Sequence, residues 1–338
     1  MDAEFSNLPR DVSFSTIFWG GGTPSLLSAK DLNRLGKSML KNINSDFSEW
    51  TVEMAPSTVK ADKLNVLLEL GVTRFSLGVQ SFNAKVLESL GRLHNPVQIN
   101  IAWDLIALSG VNDTNIDLMF ALPNQSLDLW EKDLIIADDL QSNHISTYCL
   151  TFEEDTALYL KLAEGNLKID EERERLFYLN TWDILENFGF NQYEISNFSR
   201  GNNSTCKHNI NTWKMNDWIG CGPSAASQFS DMRYRNPSSI DQWLKVLTHL
   251  GDLREDVTPL SQEMIFVDRI LFGLRMNEGV HLNNLIKSYA ISQNANNYRN
   301  YFNELEKEEY VNLNDGYYKL TREGKLRSDA IGLNLMSI

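Results

Sequence analysis

The stretch "TIFWGGGTPSLLS", Thr16 to Ser28, decides how this sequence folds. Three glycines and a proline directly follow the apolar run of Ile17, Phe18 and Trp19. Glycine tolerates positive φ and proline cannot continue a strand ladder, so a strand that runs into this stretch ends there. A plain tight turn explains the pattern. The alternative is a ligand that lies close against bare backbone, and the stretch alone is compatible with both.

The composition is that of an ordinary globular protein. The chain has 338 residues, 42% hydrophobic and 22% charged, which suffices for one large domain and a smaller one. A net charge of −14 disfavours nucleic acid as a partner, because duplex-binding proteins usually show a basic face. No apolar run approaches the roughly 18 residues of a membrane span, and the polar, acidic start does not resemble a signal peptide. The sequence therefore predicts a cytoplasmic protein.

The cysteines are Cys149, Cys206 and Cys221, an odd number at wide spacing. Such spacing gives neither a disulfide framework nor a CxxC metal clip. We expect three reduced and mostly buried thiols.

Short apolar runs alternate with helical patterns from the start to about residue 195. Ser28 is placed to cap a helix that runs to about residue 43, and Gly71 to end the next helix. The strand–helix pattern recurs about six times, which predicts parallel strands with right-handed crossovers. The strands read as apolar on both faces, as a sheet covered by helices requires. A (β/α) barrel and a doubly wound sheet both fit.

The amino-acid composition changes after Ser199, where Asn, Ser and Gly become frequent. We expect an ordered loop region there. From Thr258 the pattern is helical, and Asn314-Asp315-Gly316 joins two short strands in a predicted hairpin. The C-terminal part is therefore expected to be a small winged-helix-like unit, with acidic residues beside it that disfavour DNA. The predicted division is a domain over 1–200, a loop-rich segment over 201–257 and a C-terminal domain over 258–338.

Polar side chains stand at the ends of the predicted strands. One predicted strand ends at Glu53 and the next ends at Gln80, the segment that follows carries Arg92, and the fourth strand presents Asp117. In parallel α/β folds ligands bind at the carboxyl ends of the strands. A polar group buried there without a partner costs about 1–3 kcal/mol.

Two interpretations of these side chains remain open. Glu53, Asp117 and Arg92 could form a structural ion-pair cluster. Alternatively, Arg92 binds a carboxylate, Asp117 and Gln80 bind ribose hydroxyls, and Glu53 holds an ammonium with backbone carbonyls. The second interpretation describes a small zwitterion that carries a sugar diol, and the glycines would let it lie against the chain.

Several motifs together resemble one family. They are "IFWGGGTPSLLS", "GVTRFSLGVQSFNAKVLESLGRLH", "NIDLMFALPNQS" and "CKHNINTW", with "FGLRMNEGV" and "LTREGKLRSDAI" near the end. The chain resembles the radical S-adenosylmethionine (SAM) family of the heme chaperone HemW and the oxygen-independent coproporphyrinogen III oxidase, from about Phe14 onward. The resemblance implies an α/β fold: a (β/α)6-type partial TIM barrel that lacks its first strand, followed by the small C-terminal domain.

The resemblance also implies which residues bind SAM. By motif position they include Ala226 in "GCGPSAAS", although its alignment is less certain than that of the others. The remaining implied contacts are Gly21, Gly22, Thr23, Glu53, Gln80, Arg92 and Asp117.

A second implied ligand is heme. The chaperone branch carries the signature HNxxYW, and here His208 to Trp213 match it with Thr212 in place of tyrosine. The resemblance therefore implies that His208 binds heme, with Cys206 nearby, since imidazole is a common axial iron ligand. The alternative is an ordinary hydrogen-bonded loop histidine.

The family's CxxxCxxC loop, which holds a [4Fe–4S] cluster, has no counterpart in this sequence. Only thirteen residues precede "FSTIFWG", whereas a barrel strand, loop and helix take roughly 30 residues. We expect the first βα unit and all cluster ligands to be missing, through a late start codon, a truncated product or a genuinely cluster-free relative. The open strand edge would then pair with other chains, which allows a homodimer.

Three functions are compatible with these features. The first is a heme chaperone that passes heme to acceptors such as respiratory enzymes. The second is oxidative decarboxylation of coproporphyrinogen III, and the third is a degenerate protein that binds SAM or a partner without chemistry.

Overall fold

The computed structural model describes residues 1–43, 46–152, 154, 157–165, 170–249, 252 and 254–338. The strands are β1 (Thr16–Trp19), β2 (Glu49–Met54), β3 (Arg74–Gln80), β4 (Asp113–Phe120), β5 (His144–Cys149), β6 (Asn191–Gln192), β7 (Asn197–Ser199), β8 (Ala226–Phe229), β9 (Met232–Arg235), β10 (Glu255–Pro259), β11 (Val311–Asn314) and β12 (Tyr317–Leu320). The helices are α1 (Asp2–Ser6), α2 (Ala29–Asn42), α3 (Ala61–Leu70), α4 (Ala84–Ser89), α5 (Pro96–Leu108), α6 (Leu127–Asp139), α7 (Ala157–Ala163), α8 (Glu171–Asn187), α9 (Lys207–Trp213), α10 (Ile240–Thr248), α11 (Gln262–Arg275), α12 (Leu282–Ser288), α13 (Ala295–Lys307), α14 (Arg322–Leu326) and α15 (Ser328–Leu335).

The main sheet has the strand order β1-β2-β3-β4-β5-β7-β6. The first five strands pair in parallel, as the alternating pattern predicts. The series does not continue in parallel, however, because β7 pairs antiparallel with both β5 and β6. Residues 193–196 form a connection too short for a parallel crossover, so the chain returns as a hairpin.

Local signals place the first helices where the sequence predicts them. The Ser28 hydroxyl accepts a hydrogen bond from the Asp31 amide and caps α2. Gly71 ends α3 in the left-handed region, at φ +101°. Both predictions are confirmed.

The two faces of the main sheet differ in polarity. Val52, Phe75, Ile116 and Ile145 lie on one face, fully buried in the main hydrophobic core. The alternate positions form a polar face, because successive side chains of a strand point to opposite sides. Our expectation of strands that are apolar on both faces was therefore wrong. The buried residues of the polar face include Thr51, Arg74, Ser76, Asn115, His144 and Ser146.

The segment over 201–257, which we expected to be a loop region, contains regular structure. It holds α9, α10 and an antiparallel sheet in the order β10-β9-β8. Ser230 and Asp231 join β8 to β9 with positive φ at both residues, +52° and +59°. A two-residue hairpin needs this geometry. Because neither turn residue is glycine, the sequence does not predict the hairpin.

The C-terminal helices form a second hydrophobic core around Phe266, Tyr298 and Phe302. The hairpin predicted there is confirmed, since β11 and β12 pair antiparallel across Asp315 and Gly316. These two turn residues have φ +52° and +84°.

Candidate ligand site at the carboxyl edge of the sheet

The glycine loop after β1 contacts the end of β2. The Gly21 amide donates a hydrogen bond to Glu53 Oε2 at 3.2 Å. A Cβ on Gly20 would lie 2.6 Å from Phe18 Cε1 and 2.8 Å from Glu53 Cδ. The absence of a side chain at Gly20 therefore lets the loop approach Glu53 closely.

The next two glycines border open space. A Cβ built on Gly21 or Gly22 meets no atom within 4 Å, and Gly21 has φ +90°. Thr23 follows, half-buried, at the start of the 3₁₀ helix Pro24–Leu26. The loop is thus a tight turn at Gly21 and also leaves room for a ligand against the backbone.

Asp117 on β4 is held by neutral hydrogen-bond donors. Ser76 Oγ donates to Asp117 Oδ2 at 2.7 Å, and Asn115 Nδ2 donates to Oδ1 at 2.9 Å. Burial nevertheless raises the pKa of the Asp117 carboxyl. The hydrogen bonds oppose this shift without cancelling it.

The pKa of Glu53 is more informative than that of Asp117. Burial raises its pKa to about 7, the negative charge of Asp117 adds to the rise, and the Gly21 amide opposes it. We call Glu53 and Asp117 the acidic cluster. Neither carboxyl forms an ion pair with any residue that the structure describes. The acidic cluster therefore favours a cationic ligand or one that donates hydrogen bonds.

Gln80 lies beside the acidic cluster and Arg92 does not pair with it. Gln80 ends β3 at φ +69°, and its Nε2 is 3.2 Å from the Cβ position of Gly78, the register partner of Asp117. The Arg92 side chain is exposed between α4 and α5. Within the described chain Arg92 forms no ion pair with Glu53 or Asp117, so the structural ion-pair interpretation is not what the fold shows.

A cavity of about 960 Å³ runs along β1, on the side of the strand away from β2. Gly21, Ala226, His208 and Trp218 are among its lining residues. Most of the lining is apolar, and the volume is in the range of small-molecule sites, about 300–1,000 Å³. Three of the residues predicted from motifs therefore border one cavity, next to the acidic cluster.

His208 lies in the first turn of α9. Its ring stacks on Phe18, with centroids 4.8 Å apart and planes 25° apart. Its Nδ1 is 3.3 Å from Thr16 Oγ1, and no hydrogen bond to Nε2 is found in the described residues. Burial lowers the pKa of His208, so the imidazole is neutral at pH 7. The residue is hydrogen-bonded, as the structural alternative supposes, but it stands on a helix and borders the cavity.

The backbone of His208 is held by Glu49, at the start of β2. The Glu49 carboxylate accepts hydrogen bonds from the amides of Lys207, at 2.8 Å, and His208, at 2.9 Å. Arg74 Nε lies 3.9 Å from the same carboxylate. We call Thr16, Phe18, Glu49 and His208 the histidine cluster.

Buried hydrogen bonds connect the two clusters across the polar face. Asn115, which contacts Asp117, is 2.7 Å from His144 Nδ1 through its Oδ1. His144 Nε2 lies 2.8 Å from the Tyr193 hydroxyl, which accepts from the amide of Cys206 at 3.2 Å. The polar face is thus one continuous network from the acidic cluster to the residue before α9.

Sequence reasoning missed most of this network. Thr16, Glu49, Arg74, His144 and Tyr193 were not among the predicted site residues. A signal was present in "RFSLGVQ" and "HISTYC", where polar residues occupy every second position. Glu49 carried no such signal, since it stands at a strand start and its partner is more than 150 residues away.

The chain's cysteines do not fit an iron–sulfur cluster. Cys149, Cys206 and Cys221 are buried or half-buried and lie too far apart in the sequence to match a cluster-binding motif. In the described ranges no three His, Cys, Asp or Glu residues are grouped so that they could hold a metal ion.

Within the part of the chain that the structure describes, no helix is both long enough and apolar enough to cross a bilayer.

Comparison with known proteins gives the family. The Radical SAM superfamily model matches residues 4–134. The chain is 30% identical over 320 residues to the heme chaperone HemW of Bacillus subtilis, covering 94% of this chain and 84% of the relative. It is 32% identical over 336 residues to HemW of Haemophilus influenzae, covering 95% and 83%. The chain belongs to the HemW family of radical SAM proteins. The resemblance found in its motifs is confirmed.

The fold also matches a solved structure. Coproporphyrinogen III oxidase (HemN) from Escherichia coli, a radical SAM enzyme, superimposes with a TM-score of 0.84 at 20% identity, over 99% of this chain and 81% of that chain. The α/β radical SAM fold with a mostly parallel sheet is thereby confirmed. Membership implies SAM and a [4Fe–4S] cluster as the family's cofactors. The open glycine loop and the acidic cluster fit SAM, whereas the cysteines do not fit the cluster.

Proposed function

We propose that this protein is a heme-binding chaperone of the cytoplasm that also binds SAM and delivers heme to acceptor proteins such as respiratory enzymes. One observation carries the proposal: His208 and the glycine loop border the same cavity of about 960 Å³. Relatives that cover most of this chain are named heme chaperones. Association with a second copy through the free edge of β1 stays a prediction from the sequence.

SAM would lie at the carboxyl edge of the sheet. The Gly21–Thr23 backbone would contact it where the loop borders open space, and Ala226, which lines the same cavity as Gly21, would contact it as well. The acidic cluster would take its ammonium and ribose hydroxyls, with the Gln80 amide alongside. Arg92, whose side chain is exposed, would pair with its carboxylate.

Heme would occupy the apolar part of the cavity. The neutral imidazole of His208 is suited to bind iron through Nε2, because Nδ1 already contacts Thr16. Phe18 stacks against the ring and restricts its rotation. The cavity supplies apolar surface for the porphyrin and keeps the iron next to a fixed ligand.

Binding and transfer are favoured over oxidative decarboxylation. The His208–Trp213 run resembles the signature of the chaperone branch, and His208 itself borders the cavity. The proposal is therefore limited to holding and passing on heme.

Titration with hemin, followed by visible absorption, tests the proposal. Wild-type protein should bind hemin with the spectrum of a histidine-ligated iron, and His208→Ala should bind at least tenfold more weakly and lose that spectrum. His249→Ala is the matched control, since His249 is exposed at the end of α10. Equal affinity and equal spectra for wild type and His208→Ala would overturn the proposal.

A further inference from the structure

We propose that Glu49 is a positioning residue for His208: its carboxylate fixes the first turn of α9 and so orients the imidazole toward the cavity. This inference rests on the proposed function, in which His208 binds heme iron. Nothing in the motif resemblance points to Glu49, and the contact that carries the inference exists only in the folded chain.

Both oxygens of the Glu49 carboxylate accept hydrogen bonds from the first turn of α9. Glu49 Oε2 accepts from the Lys207 amide at 2.8 Å and Oε1 accepts from the His208 amide at 2.9 Å. The first amides of a helix have no partner within the helix, and negative charge is favourable at that end. Because two successive amides bind two different oxygens, the contact fixes the rotation of the helical turn as well as its distance from β2.

Glu49 is itself held in place. It is 4% exposed and lies 3.9 Å from Arg74 Nε, and Arg74 is 2% exposed. Arg74 Nη2 donates to the carbonyl of Ser204 at 2.6 Å, in the segment that leads into α9. Arg74 therefore ties both the carboxylate and the chain before α9 to the sheet.

The ring and the backbone of His208 are held by neighbouring strand positions. Thr16 on β1 is the direct register partner of Glu49 on β2. Thr16 Oγ1 lies 3.3 Å from His208 Nδ1, and Phe18 stacks on the same ring. With the backbone held by Glu49 and Nδ1 occupied, Nε2 is the nitrogen left for iron.

A buried ion pair at this place is poorly explained by stability alone. Replacing such a pair by apolar residues is often neutral or stabilising, because two charges must be desolvated. Groups that orient a metal-binding histidine, in contrast, typically affect metal affinity by 10–100-fold. The arrangement of Glu49 and Arg74 fits the second role.

A double-mutant cycle on hemin binding tests the inference. Glu49→Gln should weaken hemin binding about tenfold and alter the axial-ligand spectrum at saturating hemin. In the His208→Ala background the same substitution should cause no further loss, because Glu49 acts through His208. Circular dichroism confirms that each variant is folded. Glu49→Asp keeps the charge beside Arg74 but shortens the side chain, and it should cause the same spectral change if Glu49→Gln does not fold.

The outcomes separate the inference from the proposed function. If His208→Ala alone binds hemin like wild type, the proposed function fails. If His208→Ala weakens binding but the Glu49 variants keep the wild-type spectrum and affinity, the positioning role fails. The role also fails if Glu49→Gln causes the same loss with and without His208.

Discussion

The acidic cluster and the histidine cluster lie along the same main sheet, but their charges are arranged in opposite ways. In the histidine cluster, the Glu49 carboxylate has a buried arginine, Arg74, and two helix amides as partners. In the acidic cluster, the charge of Asp117 adds to the burial that raises the pKa of Glu53, and within the described chain neither carboxyl has a cation.

The difference shows which of the two clusters has its buried charges compensated by the protein alone, without a ligand. Opposite charges in the histidine cluster compensate each other, so its geometry is set when the chain folds. The raised pKa of Glu53 shows the reverse at the acidic cluster, where the protein alone does not stabilise both charges. A cationic ligand would compensate the charges of the acidic cluster, whereas the charge of Glu49 in the histidine cluster is compensated by the protein before any ligand binds.

The largest expected effect is on stability at the histidine cluster. Arg74→Met should lower the free energy of unfolding by about 3–5 kcal/mol, because it leaves Glu49 buried without its cation. Urea unfolding followed by tryptophan fluorescence measures the loss. Arg10→Met is the control, since Arg10 is exposed. A loss below about 1 kcal/mol would show that the pair is not needed to stabilise the cluster.

The pH dependence of stability should come from the acidic cluster. Glu53 has a pKa of about 7 in the folded protein and an ordinary value near 4.5 when unfolded. The folded state therefore holds more protons between these values, and stability falls as pH rises, by roughly 2 kcal/mol from pH 5 to pH 7. Urea unfolding at several pH values should show this slope reduced in Glu53→Gln. An unchanged slope in the variant would mean that other groups cause it.

Ligand affinity should depend on the second carboxyl. Asp117→Asn should weaken SAM binding about tenfold, or about 1.4 kcal/mol, through loss of the negative charge. Its free energy of unfolding should fall by about 1 kcal/mol, because the Asn NH₂ group replaces one of the two oxygens that accept from Ser76 and Asn115. Calorimetric titration with SAM measures the affinity, and Glu88→Gln, at an exposed position, is the control. Unchanged affinity in Asp117→Asn would place SAM elsewhere.

The smallest expected effect is a difference in stability between alanine substitutions at two glycines of the same loop. Gly20→Ala should lower stability by about 1 kcal/mol, because its Cβ would lie under 3 Å from Phe18 and Glu53. Gly22→Ala should change stability by less than about 0.5 kcal/mol, since its Cβ meets open space, but should weaken SAM binding. Thermal unfolding and calorimetry compare the two variants. Equal stability loss in both would contradict the close contact at Gly20.

The sequence alone predicted the features that depend on short local motifs. The cap at Ser28, the left-handed stop at Gly71 and the turn at Gly316 each depend on a few adjacent residues, and all three are as expected. The parallel sheet followed from alternation of strands and helices. The search for polar residues at strand ends found Glu53 and Asp117, although Glu53 lies one residue before the end of β2 and Asp117 three residues before the end of β4.

The rest depends on contacts between distant parts of the chain. Glu49 meets α9 only after the sheet has formed, and the His144–Tyr193 pair joins residues from β5 and the β6–β7 turn. The effect of the Asp117 charge on the pKa of Glu53 likewise requires that β2, β3 and β4 bring the two side chains close together. No pattern of spacing reports such distances. The polar face itself did have a signal, the alternation in "RFSLGVQ" and "HISTYC", but the partners of its side chains did not.

Carboxyl ¹³C NMR of Glu53, assigned by comparison with Glu53→Gln, tests most directly whether the acidic cluster is completed by a cationic ligand. We expect a pKa of about 7 for Glu53 in the free protein and a clear fall in this pKa on addition of SAM. An ordinary pKa near 4.5 in the free protein, or a raised pKa that SAM leaves unchanged, would contradict this expectation.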